Sequence, residues 1–403
     1  MADTTFLDWP FFENKHRELR DAIEIWCCDN LPADHSDTDA ACIKLVSDLG
    51  KAGFLKLSAV DPANPQPLDV RSLCIMRETL ARHDGLGDFA FAMQGLGTGA
   101  ISLFGNAQQQ LWLNKTRAGE MLSAFALTEP NSGSDVANIE LSAIRDGEEY
   151  VLNGEKTWIS NGGIAGVYVV FARTGEAAGA KGISAFIVPA DTPGLTVEER
   201  LDVMAPHPLA RLGFKQLRIP TSNRIGDAGE GFKIAMSVLD VFRCTVGAAA
   251  LGLARRALEE TIARATTRKI GDGVLADMQM VQGHMAEMAI DIDASALLIY
   301  RAAWTKDMGA VRVTREAAMA KQFATDQAQQ VIDKAVQIHG GEGVRSGNTV
   351  EKLYREIRAL RIYEGASDVQ KIIIARQLLS QGERNAGTKR TQGYLHKGQA
   401  ATS

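Results

Sequence analysis

The sequence predicts an α+β protein in which an N-terminal helical domain and a C-terminal four-helix bundle flank a middle β-barrel-like domain. Apolar residues recur at helical spacing towards both ends of the chain, whereas the middle has short β-prone runs separated by Gly and Pro. At 403 residues, 45% of them hydrophobic, the chain is long enough for two or three domains with large cores. We expect domains over residues 1–120, 121–230 and 231–380, followed by a polar, flexible tail over 381–403.

The N-terminal domain is predicted to consist of amphipathic helices. Helical spacing of apolar residues covers 12–26, 39–53, 69–83 and 108–117. Six glycines lie within residues 85–105, and glycine lowers helix stability. A helix in that segment therefore requires a reason, such as close packing against a flat neighbour.

The middle domain is predicted to contain a β-hairpin and further strands. Residues 150–159 place β-prone residues on both sides of an Asn-Gly pair at 153–154. Asn-Gly is the strongest short indication of a hairpin turn, because both turn residues need positive φ. Further strands are expected over 167–172, 183–188 and 212–219.

The C-terminal domain is predicted to pack long helices as a four-helix bundle. Helices are expected at 231–266, 277–308, 314–339, 350–362 and 367–379. In the second of these, five apolar residues at steps of three and four predict one buried stripe, namely Met278, Val281, Met285, Met288 and Ile292. Ser367, with Gln370 three residues later, predicts a capping box at the start of the last helix.

Charge and composition argue against several classes of protein. The net charge is −5, from 44 basic and 49 acidic residues, which disfavours a general nucleic-acid-binding protein. The chain has no uncharged apolar run of the roughly 18 residues that span a bilayer, and its N-terminus lacks the pattern of a secretory signal. We therefore expect a cytoplasmic protein without a membrane segment, and no metal site, because the histidines lack ligand spacing. The cysteines are odd in number and are expected as reduced, buried thiols: Cys27, Cys28, Cys42, Cys74 and Cys244.

Two segments of the middle domain have residue types suited to a planar, phosphate-bearing ligand. FALTEPNSGSD at 125–135 places hydroxyl and amide side chains in a loop that leaves a strand, where they and backbone N–H groups can bind a polar ligand. An ordinary polar turn is the alternative. GEKTWISNGG at 154–163 places Trp158 and Ser160 on one face of a strand, so that the indole can stack on a ring and the hydroxyl can donate to its edge. A tryptophan in the core of the β domain is the alternative.

Two segments of the C-terminal domain combine loops with functional side chains. VQIHGGEG at 336–343 is a helix end followed by glycines, for which a plain glycine C-cap is the alternative. LRIYEGASDVQ at 360–370 places Glu364 in a short loop between two helices, where Gly365 allows the backbone to turn closely. Such a carboxylate can be positioned over a substrate; a solvated loop glutamate is the alternative.

These four segments, in a helix–β–helix order, resemble the acyl-CoA dehydrogenase family of flavoproteins over residues 12–380, nearly the whole chain. The resemblance implies FAD as the cofactor, an acyl-CoA thioester as the substrate and an electron-transfer flavoprotein as the electron acceptor. It also implies a homotetramer built as a pair of dimers, in which neighbouring subunits complete each other's cofactor sites.

The resemblance assigns cofactor and substrate contacts residue by residue. Middle-domain residues that it places against the FAD are Phe125, Leu127, Thr128, Ser134, Trp158 and Ser160. Residues that it directs to the FAD of a neighbouring subunit are Arg268, Gln279, Gln337 and Gly341. Residues that it places beside the acyl-CoA are Ser134, Asp240, Arg243 and Gly365. The sequence after Arg268, Lys269-Ile270-Gly271, departs from the aromatic residue and glycine usual in the family.

Glu364 is the catalytic base that the resemblance implies; it removes the α-proton of the thioester while hydride leaves the β-carbon for the flavin. The family has a second position for this base, which here is Phe242, so the chain has a single base. The product is then a 2-enoyl-CoA. An acyl-CoA oxidase or desulfinase on the same fold is an alternative, as is a catalytically silent flavoprotein with a binding role, against which Glu364 argues. Phe91, Ala92 and Gly95 predict an unusual acyl pocket that leaves straight, branched, cyclic and aromatic acyl groups open.

Overall fold

The computed structural model describes residues 4–380, and the tail expected over 381–403 lies outside the described residues. Helical regions lie before and after a mixed β-sheet, as the sequence predicts. The first region holds α1 (Asn14–Asn30), α2 (Thr38–Lys51), α3 (Val70–His83), α4 (Gly85–Phe104), α5 (Ala107–Gln110) and α6 (Trp112–Arg117).

The glycine-rich segment forms helix α4, which is buried along almost its whole length. Its glycines allow neighbouring side chains to approach closely. A Cβ added to Gly95 would lie 2.6 Å from the ring of Phe242, and one added to Gly97 would lie 2.5 Å from the Ser123 hydroxyl. Close packing, part of it against a flat aromatic ring, therefore offsets the low helix propensity of glycine.

The middle region is one mixed sheet. Its strands are β1 (Ser123–Ala126), β2 (Ser142–Asp146), β3 (Glu149–Ser160), β4 (Val167–Arg173), β5 (Ile183–Pro189), β6 (Leu195–Arg200), β7 (Leu209–Pro220) and β8 (Arg224–Ile225). The strand order is β6-β7-β3-β2-β4-β5-β8, with β1 parallel to β4. The two end strands of this path do not pair within residues 4–380, so the expected β-barrel-like domain is an open sheet instead. The path ends at a two-residue strand, β8, and at a largely exposed strand, β6, so the sheet has two free edges within the described residues.

The hairpin predicted at Asn153-Gly154 is wrong. Strand β3 continues through this pair, which forms an irregularity in the pairing with β7, and the Asn153 side chain accepts a hydrogen bond from the backbone N–H of Gln216 at 2.8 Å. The hairpin turn lies earlier, at residues 147–148 between β2 and β3, where Gly147 has a φ of 62°. The pairing with β7 outweighs the local turn preference of Asn-Gly.

The last region is a helical bundle. It contains α7 (Gly231–Thr267), the two-stranded ribbon β9 (Lys269–Ile270) and β10 (Gly273–Val274), α8 (Gln279–Asp307), α9 (Thr314–His339), α10 (Thr349–Leu360) and a helix over 367–380, here called α11. The predicted apolar stripe of α8 is buried only at Met288 and Ile292, whereas Met278 is exposed just before the helix begins.

Helix α7 is the central helix of the bundle and packs against α3, α8 and α9. It is the one helix in the described chain that is long and apolar enough to cross a membrane by those two criteria, and 89% of its most apolar window is buried inside the protein. A buried ion pair joins it to α3, with Arg255 Nε 2.7 Å from Glu78 Oε1. These features are typical of a core helix.

The five cysteines are free thiols, and all but Cys28 are buried. The predicted capping box is absent. Ser367 donates its hydroxyl hydrogen bond to Asp326 on α9, and the Gln370 side chain donates to the carbonyl of Gly365. Both side chains therefore connect α11 to the loop that precedes it and to the bundle.

Candidate active site

Glu364 lies in the loop between α10 and α11 in an unusual backbone conformation. Its φ is 50° and that of Gly365 is 92°, so two consecutive residues are left-handed. A non-glycine residue in this region costs on the order of 1 kcal/mol and persists only where the surroundings impose it. The Glu364 side chain is half-buried, and its Oε2 atom is buried without a hydrogen-bond partner among residues 4–380. An unpartnered carboxylate oxygen is available to accept a proton.

Several charged side chains surround this carboxylate. Burial raises the pKa of Glu364, and the negative charge of Asp88 raises it further. The positive charges of Arg77, Lys321 and Arg243 lower it. The net pKa of Glu364 lies above the ordinary value for glutamate. Arg77 is itself buried and binds Asp88 through two hydrogen bonds of 2.8 Å. The carboxylate is thus partly desolvated, and three nearby cations and one nearby carboxylate act on its pKa.

Asp240 and Arg243, on α7, lie next to this loop. Arg243 Nη1 is 3.4 Å from Asp240 Oδ1, and the Thr314 hydroxyl donates to the other Asp240 oxygen at 2.8 Å. A Cβ added to Gly365 would lie 3.9 Å from Arg243 Nε, which is buried and has no hydrogen-bond partner in the described chain. Burial lowers the pKa of Arg243. The structure therefore brings together Glu364, Gly365, Arg243 and Asp240, four of the residues that the sequence predicts for the site.

A second group of predicted residues lies where β1 ends. The carbonyl of Leu127 accepts a 2.9 Å hydrogen bond from Lys156 Nζ, and the carbonyl of Thr128 accepts one of 2.9 Å from the Thr157 backbone. Both bonds come from β3, immediately before Trp158, so the loop after β1 and the end of β3 lie side by side. The Phe125 ring packs on Phe171 with centroids 4.9 Å apart.

Trp158 is not a core residue. Its side chain is 56% exposed, whereas Ile159 is buried and Ser160 is half-buried. Its φ of 58°, together with the irregular pairing between Lys156 and Ile159, turns the indole outwards from the sheet. The alternative of a buried tryptophan is excluded. A large exposed ring beside an anchored loop fits a flat cofactor such as a flavin, which would cover it. Ser134 lies in the same loop region and is exposed.

The four residues assigned to a neighbouring subunit's FAD lie far from Glu364. They are all exposed at one end of the bundle, at the end of α7, the start of α8 and the end of α9: Arg268, Gln279, Gln337 and Gly341. Along α9, sixteen residues separate Gln337 from Lys321, which contacts the Glu364 loop. At about 1.5 Å per residue this is about 24 Å. The structure therefore does not bring these four residues to the Glu364 site of their own chain.

Three residues near the site were not anticipated from the sequence: Arg77, Asp88 and Lys321. Each is a charged residue inside a helix that is otherwise buried on that face, and all three are buried. Charged residues are almost never fully buried without a partner. An isolated charged residue on the apolar face of a helix is the feature that could have identified them.

One cluster of potential metal ligands lies elsewhere. Glu24, Cys28 and His83 each place a ligand atom within 4.8 Å of the others. The guanidinium of Arg82, however, lies 3.0 Å from the His83 Nε2 atom and also donates to Glu24. These hydrogen bonds, from His83 and Arg82, outweigh burial and lower the pKa of Glu24 to about 2. The cluster is thus already paired with an arginine cation, which disfavours a metal cation there.

Models of three domains match the chain. They are the acyl-CoA dehydrogenase N-terminal domain at residues 13–120, the middle domain at 124–217 and the C-terminal domain at 229–379. The mitochondrial short-chain specific acyl-CoA dehydrogenase of Mus musculus is 38% identical over 339 residues, which are 83% of this chain and 82% of that protein.

Solved structures agree with these matches. A chain from the study of the electron transferring flavoprotein of Acidaminococcus fermentans has a TM-score of 0.86 and 35% identity, covering 91% of this chain and 98% of its own. Butyryl-CoA dehydrogenase of Megasphaera elsdenii has a TM-score of 0.76 and 31% identity, covering 87% and 100%. PigA, solved with FAD and proline, has a TM-score of 0.85 and 26% identity, covering 91% and 98%.

The fold, the half-buried Glu364 loop and these similarities define a class of FAD-dependent oxidoreductases. Within that class, the chain belongs to the acyl-CoA dehydrogenase family.

Proposed function

We propose that this protein oxidises an acyl-CoA thioester to a trans-2-enoyl-CoA with FAD, and that Glu364 is its catalytic base. The observation that carries the proposal is the Glu364 carboxylate. It lies in an imposed left-handed turn, has a buried oxygen without a partner in the described chain, and has a raised pKa. A general base works best when its pKa approaches the operating pH.

Glu364 accepts the α-proton of the thioester on its unpartnered oxygen. Trp158 and the loop after β1 would hold FAD, which would supply the hydride acceptor for the β-carbon. The α-proton is weakly acidic, so hydrogen-bond donors must stabilise the thioester oxygen as charge develops on it. By the family resemblance, the backbone N–H of Glu364 supplies one of these donors. Arg243, held by Asp240, lies beside the same turn and orients the acyl-CoA there.

Phe242 limits the acyl group that fits beside this base. Its ring is buried against the α4 glycines, where Cβ atoms added to Gly95 and Gly99 would lie 2.6 Å and 3.1 Å away. The next residue along α7 is Arg243, which lies beside Gly365. The Phe242 ring thus occupies the space beside the small residues of α4, which leaves less space for the substrate. We propose a short acyl chain, and the short-chain and butyryl-CoA dehydrogenases among the similar proteins support it.

The assembly that we propose is a homotetramer built from two dimers. Helix α8 presents an apolar stripe to solvent, because Ile290, Leu297 and Trp304 recur every seven residues and are exposed. A stripe of this kind fits a partner helix. The separation of Gln337 from Glu364 supports cofactor sites shared between subunits.

We propose an electron-transfer flavoprotein as the electron acceptor. The similarity to the chain from the study of the electron transferring flavoprotein of Acidaminococcus fermentans supports this proposal. The free, buried thiols support a reducing compartment such as the cytoplasm.

Anaerobic titration with a panel of acyl-CoAs tests the proposed reaction and the substrate together. The purified protein is expected to be yellow and to release FAD, and a short-chain acyl-CoA is expected to bleach the flavin absorbance. Extraction of FMN, or a flavin that no acyl-CoA bleaches, would contradict the proposal. Reoxidation by oxygen at the rate of turnover would indicate an acyl-CoA oxidase, whereas reoxidation only by an electron-carrier protein would indicate a dehydrogenase.

A further inference from the structure

Two lysines are completely buried near the proposed site, and each donates a hydrogen bond to a backbone carbonyl. Lys156 Nζ lies 2.9 Å from the carbonyl oxygen of Leu127, and Lys321 Nζ lies 2.8 Å from that of Gly365. Lys156 also has a carboxylate partner, Glu129, at 2.7 Å. Lys321 forms no ion pair within the part of the chain that the structure describes. The two lysines therefore differ in how their charge is compensated.

A buried ammonium group without an adjacent anion is unfavourable. Burial accordingly lowers the pKa of Lys321 to about 8. The largest opposing influence on that pKa is the charge of Glu364, ahead of Asp326, while Arg243 and Arg361 act in the same direction as burial. Glu364 is thus the main anion that compensates Lys321.

The hydrogen bond from Lys321 also acts on the backbone of the base. The Gly365 carbonyl accepts from Lys321 at 2.8 Å and from Gln370 Nε2 at 3.0 Å. These two donors hold the Gly365–Ala366 peptide, directly after two consecutive left-handed residues, Glu364 and Gly365. Since such a conformation persists only when its surroundings impose it, the two donors are a physical reason for the position of the Glu364 side chain.

We propose that Lys321 is a positioning residue for the base: its ammonium group holds the Gly365 carbonyl, and its positive charge favours the ionised form of Glu364 that can accept the α-proton. The proposal rests on the proposed function of Glu364. The other charged groups that face this carboxylate are Arg77 and Arg243, which also favour ionisation, and Asp88, which opposes it. Lys321 is the only one of these cations that the structure also joins to the base loop by a hydrogen bond, among residues 4–380.

The charge and the hydrogen bond can be separated with two variants of the holoenzyme. Lys321→Met removes both, whereas Gln370→Leu removes the other donor to the Gly365 carbonyl without changing any charge. The readout is the rate of flavin reduction by a short-chain acyl-CoA in single anaerobic turnovers, measured from pH 5 to pH 10.

In Lys321→Met, the pH at which the rate reaches half its plateau is expected to rise by roughly 0.5 to 1 unit, because an opposite charge near the base is lost. Gln370→Leu is expected to slow reduction while leaving this midpoint unchanged. The matched control is Lys371→Met, an exposed lysine on α11, which is expected to change neither quantity.

Thermal unfolding supplies a readout that does not depend on activity. Lys321 has a lower pKa in the folded protein than in the unfolded chain, so the unfolded chain binds more protons between about pH 8 and pH 10.5. This group therefore makes the wild type relatively more stable as pH rises through that window. The difference in unfolding temperature between wild type and Lys321→Met is expected to shift in favour of wild type from pH 7.5 to pH 9.5.

A midpoint that stays within 0.2 pH unit of wild type in Lys321→Met would overturn the proposal, as would an equal midpoint shift in Gln370→Leu. The proposed function fails separately, if Glu364→Gln reduces its flavin as fast as the wild type. Loss of the base role and loss of the Lys321 role are therefore distinguishable.

Discussion

Replacing Phe242 with alanine tests how the protein limits its acyl group. The Phe242 ring is 3% exposed and lies between α7 and α4, where only glycine leaves room for it at positions 95 and 99. Alanine would remove the ring and open a cavity between α7 and α4, at the residue that precedes Arg243. We expect the variant to accept longer or bulkier acyl-CoAs better than the wild type does.

The size of the effect follows from the surface that the cavity can bury. Each additional methylene group of a substrate that enters an apolar cavity contributes about 0.8 kcal/mol. Two methylenes then contribute about 1.6 kcal/mol, which corresponds to about 15-fold in kcat/KM. The same cavity is expected to destabilise the fold by about 3 to 5 kcal/mol. The substitution is therefore expected to raise kcat/KM for longer acyl-CoAs and to lower the free energy of unfolding.

The assay is the ratio of kcat/KM for hexanoyl-CoA or octanoyl-CoA to that for butyryl-CoA, measured with an artificial electron acceptor. Phe186→Ala is the matched control, because Phe186 is equally buried but packs on Tyr150 within the sheet. It is expected to lose stability and keep the wild-type ratio. If Phe242→Ala retains FAD but its ratio stays within twofold of wild type, Phe242 does not limit the acyl group.

Three further predictions concern the cofactor, pH and assembly. Trp158→Ala is expected to weaken FAD binding by about 1 kcal/mol, or about fivefold, since a stacked ring is lost; unchanged affinity in a fluorescence titration would remove Trp158 from the site. In the wild type, flavin reduction is expected to rise with pH through a midpoint above 4.5, because burial raises the pKa of Glu364 and only the ionised form accepts a proton. A midpoint at or below 4.5, or a flat profile from pH 4 to pH 9, would be inconsistent with this. Light scattering is expected to give a tetramer, and Arg268→Ala to lower its FAD content without dissociating it; a monomer with one FAD per chain would refute shared cofactor sites.

The helical parts of the fold could be predicted because their apolar spacing persists over many turns. Helix α9 begins and ends where the sequence predicts, from Thr314 to His339. The prediction of a hairpin turn at Asn153-Gly154 was wrong because it rested on only two residues. A two-residue preference is weak, and the long pairing of β3 with β7 overrides it. The buried stripe on α8 was only partly correct, because spacing identifies an apolar face but does not say how far a neighbouring helix covers it.

The sequence could supply candidate residues for the site, whose roles stay predictions, but not the charged side chains that surround them. The resemblance supplied Glu364 and Arg243, and the structure brings both together. Lys321 and Arg77 come from helices that are distant in sequence, and their importance depends on burial and on which carboxylate each one faces. Periodicity and motifs contain no information about such long-range charge compensation. Phe242 was assigned only as the absence of a second base, whereas the structure shows that its ring fills the space above Gly95.

The most direct test of the account is single-turnover flavin reduction in Glu364→Gln. Glutamine keeps the size of the side chain and cannot accept the α-proton, and Phe242 offers no replacement base. Reduction by a good acyl-CoA substrate is expected to slow by on the order of 100- to 10,000-fold, or roughly 3 to 5.5 kcal/mol of barrier, with FAD content and acyl-CoA binding retained. Reduction within a few-fold of the wild-type rate would contradict the assignment of Glu364 as the base, and with it the mechanism proposed for this protein.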